Sequence, residues 1–383
     1  MTKKLVIFSH CLSGGGAERT LSRLIQWISV NRPDIELHLL LIKPRISYLV
    51  PESVTVHIIG KNRSTIIGKL WEQFILMPLF LRAVKRIQPH SLLAFMSKQN
   101  VMAALANRFC STWPYTVISE RASPDGLHPK GDPARLLMQF AWKHIYRFAD
   151  KVVAISDGVG RELITKGVPS EKIRTIYNPI PVEDVVQEAN AVPLAGILPN
   201  YIISVGRLSP EKGHDVLIKA FALVHAKMPE LRLIILGDGP LKPELKKLSS
   251  ELNLDSCITW AGFISNPFNV LKNAQILVSS SNNEGLSNVI LEAMALKVAV
   301  VATDCPWGPR EILDGGRYGL LSPVGDSEAL AFNILHILQN PSVAAEFANM
   351  AFARVSHAFG VTHICQQYLE VLDLSEALRY AKT

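Results

Sequence analysis

The sequence predicts an α/β protein made of two doubly wound parallel sheets, on three observations. Short β-branched runs alternate with longer amphipathic stretches, as strands do when helices cover a parallel sheet. The alternation begins twice, at Lys4-Leu5-Val6-Ile7 and again at Tyr201-Ile202-Ile203-Ser204-Val205. The length of 383 residues favours two domains over one.

In the first half, strands are expected near 4–9, 36–42, 54–59, 91–96, 115–119, 151–155 and 173–176. Helices are expected near 17–30, 66–88, 133–148 and 157–166. The second series places strands near 201–205, 231–236, 258–260, 275–280 and 298–302, and a helical pattern fills about 326–380. Between the series, residues 179–200 carry four prolines among small and acidic residues, which is linker composition. The expected domains are 1–190 and 201–360, with a C-terminal helix over 361–383 crossing back to the first. Two such sheets joined by a hinge place a ligand in the cleft outside the carboxyl ends of their strands.

Composition narrows the function classes. The protein carries 40 Lys and Arg against 33 Asp and Glu. Residues 1–195 have a net charge of +10 and the remainder −3, so the basic character belongs to one half. This argues against a protein coated for nucleic acid and for one half facing an anionic surface or ligand. Five dispersed cysteines without a C-x-x-C suggest neither a disulfide framework nor a zinc site, and a cytoplasmic setting is expected. The apolar start stops at Ser9-His10 and reads as a buried strand, not a signal peptide. No run reaches the ~20 apolar residues of a membrane-spanning helix.

Several motifs fall where strands end. Ser13-Gly14-Gly15-Gly16-Ala17-Glu18 follows the first strand and opens a helix. Gly15 and Gly16 would let backbone N–H groups reach an anion, and a tight turn explains them equally well. The loop is neither G-x-G-x-x-G nor a Walker A loop, so NAD is poorly supported. Gly206-Arg207-Leu208 with Lys212-Gly213 puts two cations five residues apart, able to converge on a diphosphate; solvated surface charges are the bland alternative. Gly237-Asp238-Gly239-Pro240 reads as a tight turn or a loop for a base to stack on.

The strongest feature is Ser279-Ser280-Ser281-Asn282-Asn283-Glu284-Gly285-Leu286-Ser287-Asn288, an apolar strand running through a polar loop into a helix. Gly285, Leu286, Ser287 and Asn288 would offer backbone N–H groups to a phosphate. A carboxylate beside a diphosphate is tolerated when it accepts hydrogen bonds from sugar hydroxyls, which suits Glu284. Glu292 could reach ribose hydroxyls, or be an exposed helical residue.

These motifs together resemble the retaining glycosyltransferases of the GT-B fold, family 4 (group 1). The resemblance covers nearly the whole chain. It rests on Gly14-Gly15-Gly16-Ala17-Glu18, Gly206-Arg207-Leu208 with Lys212-Gly213, Gly237-Asp238-Gly239-Pro240 and Glu284 separated by seven residues from Glu292, extended by Pro306-Trp307-Gly308-Pro309-Arg310-Glu311 and Gly319-Leu320-Leu321. It implies a nucleotide-sugar donor, UDP-linked by expectation, with its diphosphate on Arg207 and Lys212, its sugar at Glu284 and its ribose at Glu292. It implies no cofactor and no metal, and the sequence has no Asp-x-Asp. Cations and helix dipoles would stabilise the leaving diphosphate instead. Many relatives carry a histidine after an N-terminal-half strand. Ser119-Glu120-Arg121-Ala122-Ser123-Pro124 stands there instead, making Arg121 the catalytic candidate and Glu120 its alternative, with His128 nearby as a loop histidine.

Residues 61–86 mix six Lys and Arg with Trp and Phe, as membrane-surface helices do, although a core helix with basic ends has the same pattern. The half's excess charge favours a peripheral contact with the cytoplasmic face of the inner membrane, and hence a saccharide or lipid-linked saccharide acceptor. Nucleic acid is not expected as a partner. A GT-B epimerase, a phosphorylase, or a nucleotide-sugar-binding protein without turnover are the alternative readings.

Overall fold

The computed structural model describes residues 2–60, 66–127, 132, 134–190 and 199–375, with side chains of the helix Ile66–Ile87 described from residue 76. His128, Lys61, Arg63 and part of the expected linker lie outside these. The chain divides into two compact units, Met1–Pro179 with Val361–Thr383, and Ile180–Gly360.

Among the described residues, the first unit holds a parallel sheet of β1 (Lys3–Ser9), β2 (Ile35–Leu41), β3 (Thr55–Ile58), β4 (Ser91–Phe95), β5 (Tyr115–Glu120), β6 (Lys151–Ala154) and β7 (Ile173–Thr175). Its strand order is β3-β2-β1-β4-β5-β6-β7. β1 is central, pairing Lys3 to Ser9 with Ile35 to Leu41 on one side and Leu5 to Phe8 with Ser91 to Ala94 on the other. Burial on both faces explains why the central strands read as continuous apolar runs and not as alternation. The helix Gly16–Asn31 packs Leu21, Leu24, Ile25 and Ile28 into this core. Ile364, Cys365, Tyr368 and Leu369 of the helix Val361–Val371 enter the same core, the Ile and Leu side chains contributing about 1.5–3 kcal/mol each by burial.

The second unit holds, among its described residues, β8 (Tyr201–Val205), β9 (Arg232–Leu236), β10 (Ile258–Gly262), β11 (Ile276–Ser279), β12 (Ala299–Thr303) and β13 (Leu320–Ser322), in the order β10-β9-β8-β11-β12-β13. In both sheets the order reverses beside the first strand, at β1/β4 and at β8/β11. Such a reversal opens a crevice at the carboxyl ends of the strands, the general ligand position in open α/β sheets.

Four elements differ from expectation. Residues 180–190 fold with the second unit, because the linker composition conceals a helix, Val182–Glu188, started by Pro181 and with Glu183 and Asp184 in its first turn. Val182 and Val185 are buried, and Asn269 Nδ2 donates to the Ala189 carbonyl at 3.1 Å. The helix Ser97–Phe109 and the short strand β13 were not expected. The stretch 134–148 is helical but not uniform: Ala134–Phe140 runs into a wider turn at Ala141–Ile145 and a tighter one at Tyr146–Phe148.

Candidate functional site

The second unit gathers its motifs at the carboxyl ends of β8, β9, β11 and β12, and glycines set how closely they approach. Gly237, with φ +141°, lies where a Cβ would stand 1.9 Å from the Gly206 carbonyl oxygen. A Cβ on Gly213, at φ +58°, would stand 2.2 Å from the Ser280 carbonyl oxygen. Only glycine lets these loops touch backbone to backbone.

The contact through Gly213 clamps the Lys212 loop to the β11 loop. Ser280 Oγ donates to the Lys212 carbonyl at 3.0 Å, Asn282 N to the Glu211 carbonyl at 2.8 Å and Asn282 Nδ2 to the Pro210 carbonyl at 2.8 Å. Lys212 Nζ thereby comes to 2.6 Å from Glu284 Oε1, which also accepts from Ser281 Oγ at 2.7 Å. Burial works against the Lys212 charge, but the Glu284 carboxylate outweighs it and holds the ammonium pKa above its ordinary value. Glu284 is fixed through its backbone as well, its N–H donating to the Pro306 carbonyl and its carbonyl accepting from Trp307 N, both at 2.9 Å.

Ser287 occupies the position before the helix Asn288–Ala295, without a side-chain capping bond. Gly285 and Asn288 are half-buried, and Leu286 and Ser287 buried. Gly308 packs against Leu286, its would-be Cβ 3.0 Å from the Leu286 Cα. Glu292, for which an exposed helical position was the bland alternative, is buried at 3%. Arg207 is exposed at the end of β8. The structure thus brings Lys212 and Glu284 into contact and leaves the Arg207 side chain on the surface.

Sequence reasoning missed the side chains around that pair. Ser280, Ser281 and His214 line a small cavity with Lys212 and Glu284. The Ser-Ser-Ser run that closes β11 was the available signal for the hydroxyls. His214, directly after Gly213, gave none.

In the first unit, Gly14, Gly15 and Gly16 are exposed at the start of the helix Gly16–Asn31. Glu18 Oε2 would lie 2.4 Å from a Cβ on Gly15, so a carboxylate of the helix itself already sits at that positive end. Arg121 is buried at 6%. Its guanidinium donates to Tyr368 Oη at 3.0 Å and to Asn178 Oδ1, and lies 5.1 Å from the Phe95 ring centroid. Asn178 in turn accepts from Thr20 Oγ1 at 3.1 Å. Arg121 therefore ties the β5 end to the helices Gly16–Asn31 and Val361–Val371. Glu120 is also inside, accepting from Tyr146 Oη at 2.6 Å and Ser97 Oγ at 2.9 Å, with burial pushing its pKa up.

In the segment 61–86, Phe80 is fully buried and stacks on Phe8 with ring centroids 4.4 Å apart. That aromatic belongs to the core, while Arg82, Lys85 and Arg86 are exposed. Among the described residues no helix is long and apolar enough to cross a membrane.

Comparison with known proteins adds to this geometry. Residues 14–184 match the family model described as Glycosyltransferase Family 4, and residues 199–340 the one described as Glycosyl transferases group 1. The chain is 30% identical over 373 residues to the N-acetylgalactosamine-N,N'-diacetylbacillosaminyl-diphospho-undecaprenol 4-alpha-N-acetylgalactosaminyltransferase of Campylobacter jejuni, covering 97% of this chain and 99% of that one. It is 28% identical over 200 residues to the lipopolysaccharide 1,6-galactosyltransferase of Salmonella typhimurium, covering 49% of this chain and 54% of that one. Among solved structures, Anabaena HepE in complex with UDP and glucose superposes with a TM-score of 0.77 at 22% identity, covering 97% of this chain and 99% of that one.

Proposed function

The chain belongs to the GT-B glycosyltransferases, and on that premise we propose that it is a retaining, metal-independent enzyme moving a sugar from a UDP-sugar to a lipid-linked or cell-surface saccharide. One observation carries the donor site: Lys212 Nζ lies 2.6 Å from Glu284 Oε1 at the carboxyl edge of the second sheet. A cation and a carboxylate at that edge can divide a nucleotide-sugar between them, diphosphate to one and sugar hydroxyls to the other.

In this reading Arg207 and Lys212 hold the diphosphate, with the backbone N–H groups of Gly285, Leu286, Ser287 and Asn288 at the helix start adding to the field. Glu284 binds the sugar as the catalytic residue and Glu292 the ribose, while Gly237 keeps the β9 loop low enough for the base. Gly15 and Gly16 bind substrate within the first unit through their backbone N–H groups. The acceptor hydroxyl attacks from the face that the diphosphate leaves, and the leaving phosphate takes the hydroxyl proton. Arg121 is the second catalytic candidate of the sequence; its burial and its bonds to Asn178 and Tyr368 support a positioning role in place of contact with the reacting atoms. The acceptor class rests on the Campylobacter relative, whose name carries a diphospho-undecaprenol. With the exposed Arg82, Lys85 and Arg86, it supports peripheral contact with an anionic membrane, at the cytoplasmic face of the inner membrane.

A thermal-shift screen against UDP-, GDP-, ADP- and dTDP-sugars tests the donor. A ligand at 100 times its Kd adds about 2.7 kcal/mol of stability, and the UDP-sugars are expected to give the shift. No shift with any of them overturns the reading. Product anomers resolved by NMR test retention, and activity surviving EDTA tests metal independence.

A further inference from the structure

His214 is the first residue of the helix His214–His225, held in place by the left-handed Gly213. It is 3% exposed, and neither Nδ1 nor Nε2 has a hydrogen-bond partner. A buried, unpaired polar group costs about 1–3 kcal/mol, so an aromatic hydrocarbon would fill this place at less cost. Burial, reinforced by the Lys212 charge and opposed by Asp215 and Glu211, pushes the imidazole pKa down to about 4. The ring is therefore neutral at pH 7, with one nitrogen a donor and the other an acceptor.

The ring lines a cavity of about 10 Å³ together with Ser204, Ser280, Ser281, Lys212 and Glu284. That space suits one water molecule, which needs two to four polar partners. The hydroxyls of Ser280 and Ser281 have already spent their protons on the Lys212 carbonyl and on Glu284, so they face the cavity as acceptors. An imidazole nitrogen completes a polar wall directly behind the ion pair.

We infer that this cavity is a binding site for a single ordered water, held by one ring nitrogen of His214 and the serine hydroxyls, and that His214 is thereby a positioning residue for the Lys212–Glu284 pair. The importance of the pair for donor binding rests on the function proposed above; the water site does not. Its partners fix where the Lys212 ammonium and the Glu284 carboxylate stand before a donor arrives, which lowers the reorganisation that binding requires.

The test combines a crystal structure of the full chain, at a resolution that shows ordered water, with calorimetric binding of UDP to the wild type, His214→Phe and His214→Gln. Density for a water within hydrogen-bond distance of a His214 nitrogen is expected in the wild type. His214→Phe is expected to weaken UDP binding about five-fold, the worth of one hydrogen bond, and His214→Gln to recover most of that loss. A purely structural histidine would alter the unfolding midpoint and leave UDP affinity unchanged in the folded variants. Absence of the water from the wild type, or equal UDP affinity across the folded variants, overturns the inference. A wild type that shows the water and binds no UDP overturns the donor-site reading and the positioning role, and leaves the water site standing.

Discussion

Lys212 Nζ and Glu284 Oε1 lie 2.6 Å apart although 72 residues separate them in the chain. The lysine side chain is 25% exposed and the glutamate 10%. A charge pair this shielded interacts more strongly than a surface one, and removing either partner strands the other. Glu284→Gln is expected to preserve the fold, because Ser281 and the backbone bonds to Pro306 and Trp307 remain. Transfer is expected to fall about 10²–10³-fold, as when a preorganised polar group is lost from an active site. Steady-state kinetics beside a circular dichroism spectrum check this, and a folded Glu284→Gln enzyme with unchanged turnover removes Glu284 from the mechanism.

Lys212→Ala is expected to act mainly on the donor, raising its KM about ten-fold or more. The Lys212→Ala/Glu284→Gln double variant should lose less than the two single losses combined, because residues in contact are not additive. Additive losses in a double-mutant cycle would mean that the pair acts on separate steps.

Gly237→Ala and Gly213→Ala are expected to destabilise the protein by about 2–4 kcal/mol, the upper range for strain at a special backbone position. Their φ values are +141° and +58°, and the new Cβ atoms would meet backbone oxygens at 1.9 and 2.2 Å. Urea midpoints measure the effect. Gly262→Ala gives the contrast: its φ is +71°, and nothing stands within 4 Å of its would-be Cβ.

The His214 pKa sets a pH dependence. Folding lowers it from 6.5 to about 4, so below pH 6.5 the unfolded chain takes up a proton that the folded one refuses. Stability is therefore lost as pH falls from 6.5 towards 4, by up to about 3 kcal/mol from this residue. His214→Phe should flatten that part of the profile, read as Tm against pH. An unchanged slope would show that His214 is not the group responsible.

Arg121→Lys should lower Tm, because a lysine cannot serve Asn178 and Tyr368 together across the Phe95 ring. Activity per folded molecule should stay within a few-fold of wild type. A folded Arg121→Lys protein without activity would place Arg121 at the reacting atoms instead.

Reversing Arg82, Lys85 and Arg86 to glutamate should release the protein from anionic vesicles, each basic residue near such a surface being worth about 1 kcal/mol. Co-sedimentation at two salt concentrations reads this out. Equal binding by wild type and variant would leave the membrane contact without support.

The apolar runs at 4–9, 201–205 and 298–302 were legible as strands because a parallel sheet buried on both faces demands them. The ends of those strands could then be named as the place for chemistry. The sequence by itself therefore determined the two-sheet architecture, the loops at the strand ends and the residue types on them, because hydrophobic period and backbone permissiveness are local properties. Only the tertiary structure decided which residues meet. Glycine contacts bring Lys212 to Glu284, burial turns Arg121 and Glu120 inward, and the helix hidden among the prolines of 179–190 joins the second unit. Partner choice, desolvation and orphaned polar atoms such as those of His214 depend on packing between distant segments, which no local pattern encodes.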